Sequence, residues 1–186
     1  MAPLGMKSLW MMLAAAVLAR QASACQVIGK ISNVVMLHEA EAIVRAIAVE
    51  YASATRDPRV WTTGVPDSKI RFKVIERIRG PQTPELVLPG DLASSDDFND
   101  QRPPYTFVRP GGRGGSCFAE LYGSGAQFLL FLKKNKEGEF TVNWYPLGPV
   151  NEQLHDEDDP WLIWVREQAG QPQADSYPES KTNIKK

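Results

Sequence analysis

The chain has only two histidines, His38 and His155, and neither lies in a pattern that catalysis requires. His38 and Glu39 begin like the helical motif of zinc proteases, but Ala42 stands where that motif needs its second histidine. Ser124 lies between two glycines without the wider pattern that surrounds a nucleophilic serine. We therefore predict no catalytic residue, no cofactor and a protein that is not an enzyme.

Two other segments could in principle hold an ion. Asp156–Asp159 offers the carboxylate oxygens that calcium prefers, but it lacks the ligand spacing and the glycine of a calcium loop, and helix capping explains it as well. Gly111–Gly115 could cradle an anion, but it does not connect a strand to a helix as a phosphate loop does. We predict no metal site, and a flexible hinge before Cys117.

The first 24 residues have the three parts of a secretory signal peptide. Lys7 supplies the positive start, Leu9–Ala19 is uninterruptedly apolar, and Ala22–Ala24 offers small residues for cleavage. The apolar run is shorter than the roughly 20 residues that span a bilayer, and no later segment is longer. We expect a secreted or extracytoplasmic protein, periplasmic in a Gram-negative cell, with no transmembrane span.

Cleavage after Ala24 makes Cys25 the first residue of the mature chain. The only other cysteine is Cys117, and two cysteines in an oxidising compartment most simply form one disulfide. The alternative is a lipid-anchored envelope protein, modified on Cys25. Arg20 and Gln21 separate the apolar run from the cleavage site, however, and lipidation would leave Cys117 as a free thiol. The sequence therefore favours the Cys25–Cys117 bridge.

Short apolar segments separated by turns predict a mainly β domain. In the clearest strand, Lys69–Arg79, apolar and basic residues alternate with the period of a half-buried strand. Ala40–Ala52 fits either a helix or a strand, and its β-branched residues favour the strand. We predict strands at Ala40–Ala52, Lys69–Arg79, Glu85–Leu88, Gln127–Lys133 and Phe140–Trp144.

Helices are expected at both ends of this domain. Asn33–His38 suits one or two helical turns, and Asp159 followed by Pro160 marks the start of a helix over Pro160–Gln168. A terminal helix after five short strands indicates a five-stranded closed barrel. The chain then divides into a signal peptide at 1–24, a barrel domain at 25–169 and a disordered polar tail at 170–186.

Two features of this domain could bind a partner. Asp91–Ser116 is too long for an ordinary connection in a compact domain, so it should be functional or disordered. Arg71, Lys73, Arg77 and Arg79 form a basic row that could bind an acidic polysaccharide or a protein, or could be a solvated outer face. The formal net charge of −1 does not favour a nucleic-acid partner.

Several short motifs follow one another in a fixed order along the chain. They are Cys25, Ala42–Ala46, Ile70–Val74 with Arg79-Gly80, Ser116-Cys117 and Gly125–Phe131. In this order the motifs resemble the amino-terminal domain of tissue inhibitors of metalloproteinases and the wider netrin-like family, and the resemblance covers residues 25–165.

This resemblance implies an OB-type barrel of five strands with packed helices. It also implies a disulfide from the first cysteine to Cys117. In the inhibitors, the α-amino group and carbonyl of the first cysteine chelate the protease zinc, and the next side chain enters the specificity pocket. The corresponding inhibitory ridge here is Cys25, Gln26 and Val27.

Val27 stands where the inhibitors carry a further cysteine, and the sparse cysteines favour a bacterial relative. We therefore expect a secreted, non-enzymatic binding module. Inhibition of a zinc metalloprotease is the alternative.

Overall fold

A computed structural model of the chain describes residues 32–54, 66–105 and 107–170. The predicted signal peptide, the ridge at Cys25–Val27 and the tail beyond Gly170 lie outside these residues.

Within the described ranges, the chain forms two helices, one π-helical turn and eight strands. The helices are α1 (Asn33–Glu39) and α2 (Pro160–Ala169), and the π-helical turn is Gly112–Ser116. The strands are β1 (Ala42–Ser53), β2 (Lys69–Arg79), β3 (Glu85–Pro89), β4 (Asp91–Ala93), β5 (Leu121–Gly123), β6 (Gln127–Lys134), β7 (Phe140–Val142) and β8 (Asn151–Leu154).

An antiparallel sheet is the main element of the fold. Its strand order is β3-β2-β1-β6-β7, and β8 pairs with another part of β6. β4 and β5 form a separate, parallel pair. The five segments predicted as strands are β1, β2, β3, β6 and β7, so the mainly β fold with a carboxyl-terminal helix is confirmed. The short strands β4, β5 and β8 were not predicted.

β1 shows why the segment Ala40–Ala52 was ambiguous as a sequence. It lies at the centre of the sheet, between β2 and β6, and its first five residues are all buried. A strand that is covered on both faces needs apolar residues at consecutive positions, so its sequence does not alternate. The prediction of a strand is confirmed.

Aromatic rings fill the core on one side of the sheet. Phe72, Tyr122 and Phe128 pack edge to face, and their ring centroids are 5.0 to 6.3 Å apart. This geometry places the positive edge of one ring against the negative face of the next. The three rings join β2, β5 and β6 into one apolar cluster.

The helix α2 begins as predicted and packs against the sheet. Asp159 caps it by accepting a hydrogen bond from the Trp161 backbone N–H at 2.8 Å, and Pro160 occupies the first turn. Trp161 is fully buried and lies against Tyr105 and Phe131. No helix in the described part of the chain is long and apolar enough to cross a membrane.

Charged groups also attach α2 to the sheet. The Arg166 guanidinium donates to both carboxylate oxygens of Glu76 on β2, at 2.9 and 2.6 Å. Arg45 on β1 is buried and pairs with the same carboxylate at 3.7 Å and with Glu157 at 3.0 Å. The bidentate pair fixes the helix against β2, because two parallel hydrogen bonds define an orientation.

Candidate binding site at the long loop

The residues between β4 and β5, 94–120, form the long loop, and a buried arginine is the centre of its structure. Arg109 is fully buried. Its Nη2 donates to the backbone oxygens of Ala119 at 2.8 Å and Leu121 at 3.0 Å. Its guanidinium also faces the ring of Phe128 at 5.1 Å. A single side chain therefore connects the loop to its own far end and to the aromatic core.

Two carboxyl groups accompany this buried cation. Asp97 Oδ2 lies 3.7 Å from Arg109 Nη1, and Glu152 on β8 is almost completely buried. Burial raises the pKa of Glu152 to about 8, although the positive charge of Arg109 opposes this rise. Near neutral pH Glu152 is therefore protonated and uncharged, and Asp97 is the carboxylate that balances the positive charge of Arg109. Asn99 donates to Glu152 Oε1 at 3.4 Å and to the Phe107 carbonyl at 2.8 Å.

The strand β8 supplies further polar side chains to the loop. Gln153 donates to Asp96 at 2.6 Å and accepts from the Asp97 backbone N–H at 2.9 Å. Asn151 donates to the Ala119 carbonyl at 2.8 Å. Two of these bonds satisfy backbone groups, the Asp97 N–H and the Ala119 carbonyl, in a segment whose described residues lie mostly outside helices and strands. Backbone groups of such a segment must be paired if it is to be buried. The loop is thus held by side chains in place of strand pairing.

The glycine-rich segment lies in this loop, and part of it is closely packed. Gly112 is buried, and a Cβ atom there would come within 2.6 Å of a Val108 methyl group and 2.9 Å of the Ala119 backbone nitrogen. Gly111 N donates to Asp97 Oδ1 at 2.8 Å. The segment predicted as a hinge, Gly111–Gly115, therefore includes positions where close packing requires glycine.

Cys117 follows the π-helical turn and is disulfide-bonded. Its backbone has φ 69°, a left-handed conformation that is uncommon for a residue with a side chain. Its carbonyl accepts from the Leu147 N–H at 2.8 Å, and the Leu147 carbonyl accepts from the Val108 N–H at 3.0 Å. Its predicted partner Cys25 lies outside the described residues, so this pairing stays a prediction.

His155 lies at the edge of the long loop. Its ring stacks on Phe98 with centroids 4.1 Å apart, and its Nδ1 lies 2.9 Å from Asp159 Oδ2. Its Nε2 lies 3.5 Å from Asp100 Oδ1. Of the acidic segment Asp156–Asp159, Asp159 is the residue that caps α2, which confirms the capping interpretation.

The basic residues of β2 do not all share one face. In the pairing with β1, Lys73 and Arg79 lie opposite Ile47 and Ile43, whereas Arg77 lies opposite Val44. Ile43 and Val44 point to opposite faces because successive strand residues alternate. Two β-bulges in β2, one between Lys73 and Arg77 and one between Arg77 and Arg79, put Arg77 on the other face from Lys73 and Arg79. Sequence alternation does not reveal such bulges.

The neighbours of these basic side chains are largely acidic or polar. Arg71 pairs with Glu50 and with Glu85, each at 3.2 Å. Arg77 donates to the Gly80 carbonyl at 2.8 Å, and Arg79 donates to the Leu37 carbonyl. Lys73 is exposed. The face is therefore mixed in charge where Arg71 lies, and the anionic-partner interpretation stays a prediction.

The main residues of the site were not singled out from the sequence. Arg109 and Glu152 lie in segments without apolar periodicity, so a charged residue there is indistinguishable from a solvated one. The unusual length of the segment was the one usable signal. No model of a known protein family matches this chain, and no characterised protein matches it either. The resemblance to the metalloproteinase inhibitors stays a prediction.

Proposed function

We propose that this chain is a secreted, non-enzymatic binding module on an OB-type barrel, and that the long loop forms its binding surface. The observation that carries the proposal is the buried Arg109, which holds the loop in one conformation although most of its described residues form neither helix nor strand. A binding loop that is ordered before it meets its partner loses less conformational entropy on binding. Loops on a scaffold of this kind commonly carry recognition.

Closure of the sheet into a barrel is part of the proposal. β3 and β7 are the two ends of the path β3-β2-β1-β6-β7, and their Cα atoms approach within 8 Å. This proximity supports a closed arrangement, in which the core rings Phe72 and Phe128 would lie inside. The long loop then connects β4 to β5 beside the barrel.

The test compares residues of the long loop with residues of the basic face on the secreted, mature protein. The loop variant changes Gln101, Arg102 and Arg113 to Ala, and the matched face variant changes Arg71 and Lys73 to Gln. Binding is measured by biolayer interferometry against secreted zinc metalloproteases and an acidic polysaccharide. We expect the loop variant to lose protein binding at least tenfold and the face variant to retain it. The reverse result would assign recognition to the basic face and contradict the proposal.

The second candidate function is inhibition of a zinc metalloprotease through Cys25. The observation that favours it is the disulfide-bonded Cys117, whose carbonyl is anchored by Leu147. If Cys25 is its partner, the mature amino terminus is held beside the long loop. An unprotonated amine and a carbonyl oxygen can occupy the open position of a catalytic zinc site and displace its water.

Inhibition of this kind depends on the position of the amine. An α-amino group has a pKa of about 8, so the metal can displace its proton at modest cost. Adding one alanine before Cys25 should abolish inhibition and leave the fold intact, and changing Gln26 should alter which proteases are inhibited. Inhibition assays on the mature and extended forms decide this. Equal potency, or inactivity of both forms, would remove the chelating role.

A further inference from the structure

His155 joins the long loop to the start of α2. Next to its Nδ1, Asp159 is buried and fixed by two other bonds, one from the Trp161 N–H at 2.8 Å and one from the His155 backbone N–H at 3.1 Å. On the loop side, the ring stacks on Phe98 and faces Asp100, whose side chain is 89% exposed. One carboxylate is thus immobile, and the other is free to move into water.

The two ring nitrogens of His155 both face carboxylate oxygens. Nδ1 lies 2.9 Å from Asp159 Oδ2, and Nε2 lies 3.5 Å from Asp100 Oδ1. A neutral imidazole has one N–H and one lone pair, so it can donate to one of these carboxylates only. The imidazolium donates to both. The observed arrangement is therefore the one that suits the protonated ring.

We propose that His155 is a pH-dependent latch, which in its protonated form holds the Phe98–Gln101 part of the long loop against the start of α2. When the ring loses a proton, the remaining N–H stays on Nδ1, toward the buried Asp159. The lone pair of Nε2 then faces the carboxylate of Asp100. This contact is unfavourable, so Asp100 moves away and the loop loosens around Phe98.

The carboxylates that face the His155 ring raise its pKa, which favours the protonated ring. The hydrogen bond to Asp159 raises the pKa of His155, against a smaller effect of burial, and the charge of Asp100 raises it further. Glu152 and Tyr105 also interact electrostatically with Asp159, but burial raises the pKa of each, so both are largely uncharged near neutral pH. The turn at Asp156–Asp158 adds further acidic groups on the helix side. The proton on His155 is therefore favoured by Asp159 and Asp100.

The sign of the pH dependence follows from this raised pKa. The folded protein binds the His155 proton more tightly than the unfolded chain does. The latch therefore closes fully below the ordinary histidine pKa of 6.5 and opens as the pH rises through the higher folded value. Burial of Glu152 favours its protonated form in the folded state, which also strengthens the loop at lower pH. The latch does not depend on what the loop binds.

NMR titration of the secreted mature protein tests the latch. We expect the His155 ring to titrate above 6.5, and the backbone amides of Asp97–Gln101 to shift with the same midpoint. Asp100→Asn should lower the His155 pKa, and His155→Gln should abolish the pH-dependent shift of the loop amides. His38→Gln, at an exposed histidine on α1, is the matched control and should change neither.

Two outcomes would overturn this inference. In one, His155 titrates at or below 6.5. In the other, the loop amides show the same titration in His155→Gln as in the unmodified protein. Because His155 is itself partly exposed, and Asp100 more so, neither substitution disturbs the core, and both variants should remain folded for the comparison.

Discussion

The guanidinium carbon of Arg109 lies 5.1 Å from the ring centroid of Phe128, in the buried interior of the protein. Arg109 belongs to the long loop and Phe128 to β6, so this contact connects an irregular segment to the centre of the core. The ring of Tyr122 lies at 5.5 Å from the same guanidinium. Aromatic faces attract a desolvated cation, and they partly compensate Arg109 for its lost hydration.

Replacing Arg109 with Met should strongly destabilise the fold. Met approximates the volume of the side chain but removes the donor of the Leu121 carbonyl and leaves the Ala119 carbonyl with Asn151 alone. It also leaves Asp97 without its cation. Removing one partner of a buried charge pair costs about 3–5 kcal/mol. We expect the free energy of unfolding to fall by about 3 kcal/mol in urea denaturation. Arg113→Met, at an exposed position of the same loop, is the control. A change of under about 0.5 kcal/mol in Arg109→Met, the size typical of surface positions, would contradict this role.

Glu152→Gln should change the pH dependence of stability. Burial raises the folded pKa of Glu152 from 4.5 to about 8, so the folded protein binds more protons than the unfolded chain between these values. The Glu152 contribution is therefore fully present below 4.5 and is lost as the pH rises toward about 8. Gln cannot titrate, so the variant should gain stability relative to the unmodified protein as the pH rises.

The measurement is urea denaturation of both proteins across this pH range. The difference between them should change by at most about 1.4 kcal/mol per pH unit. Because His155 is present in both proteins, its own titration largely cancels in the difference. Glu137→Gln, in the exposed turn between β6 and β7, is the matched control. If the difference in the free energy of unfolding between Glu152→Gln and the unmodified protein does not change with pH, Glu152 is ionised in the folded state and this prediction is wrong.

Glu76→Gln should weaken the attachment of α2 to the sheet. Arg166 lowers the pKa of Glu76 through their hydrogen bonds, with smaller contributions from the charges of Arg166 and Arg45. A partly exposed bidentate pair of this kind should contribute about 1 kcal/mol. The contribution is present above the ordinary pKa of 4.5 and disappears as the pH falls through the lower folded value. Thermal unfolding at neutral and at acidic pH measures both effects, with the exposed Glu167→Gln as the control. An equal loss at both pH values would show that the charge of Glu76 is not what stabilises the helix.

We predict that the mature protein contains a Cys25–Cys117 disulfide. A bridge that closes so long a loop stabilises by about 4–5 kcal/mol in the chain-entropy model, and often by less in practice. Intact-mass analysis after thiol alkylation should show no alkylated cysteine in the native protein, and Cys117→Ser should lower the melting temperature. Two alkylated cysteines, or a diacylglyceryl group on Cys25, would rule out the bridge.

Local sequence patterns were sufficient for most of the sheet and for α2. The predicted strand Lys69–Arg79 has the same bounds as β2, although β-bulges interrupt its alternation, and Asp159 with Pro160 marks the start of the helix. These predictions succeeded because strand periodicity and helix capping depend on residues that are adjacent in the chain. β8 escaped prediction because its residues Asn151–Leu154 are mostly polar, and they are buried by contacts with a loop distant in sequence.

Tertiary structure alone decided which charged residues are buried and paired. In the sequence, Arg109 and Arg113 are equivalent basic residues of one long segment, yet one is fully buried and the other exposed. Likewise, nothing near His155 in the sequence indicates that Asp100 approaches its ring. Burial and pairing of charges depend on groups brought together from β6, β8 and the long loop, and the electrostatic energy of a charge depends on these neighbours and on the exclusion of water. A local sequence pattern contains no information about these neighbours or about the exclusion of water.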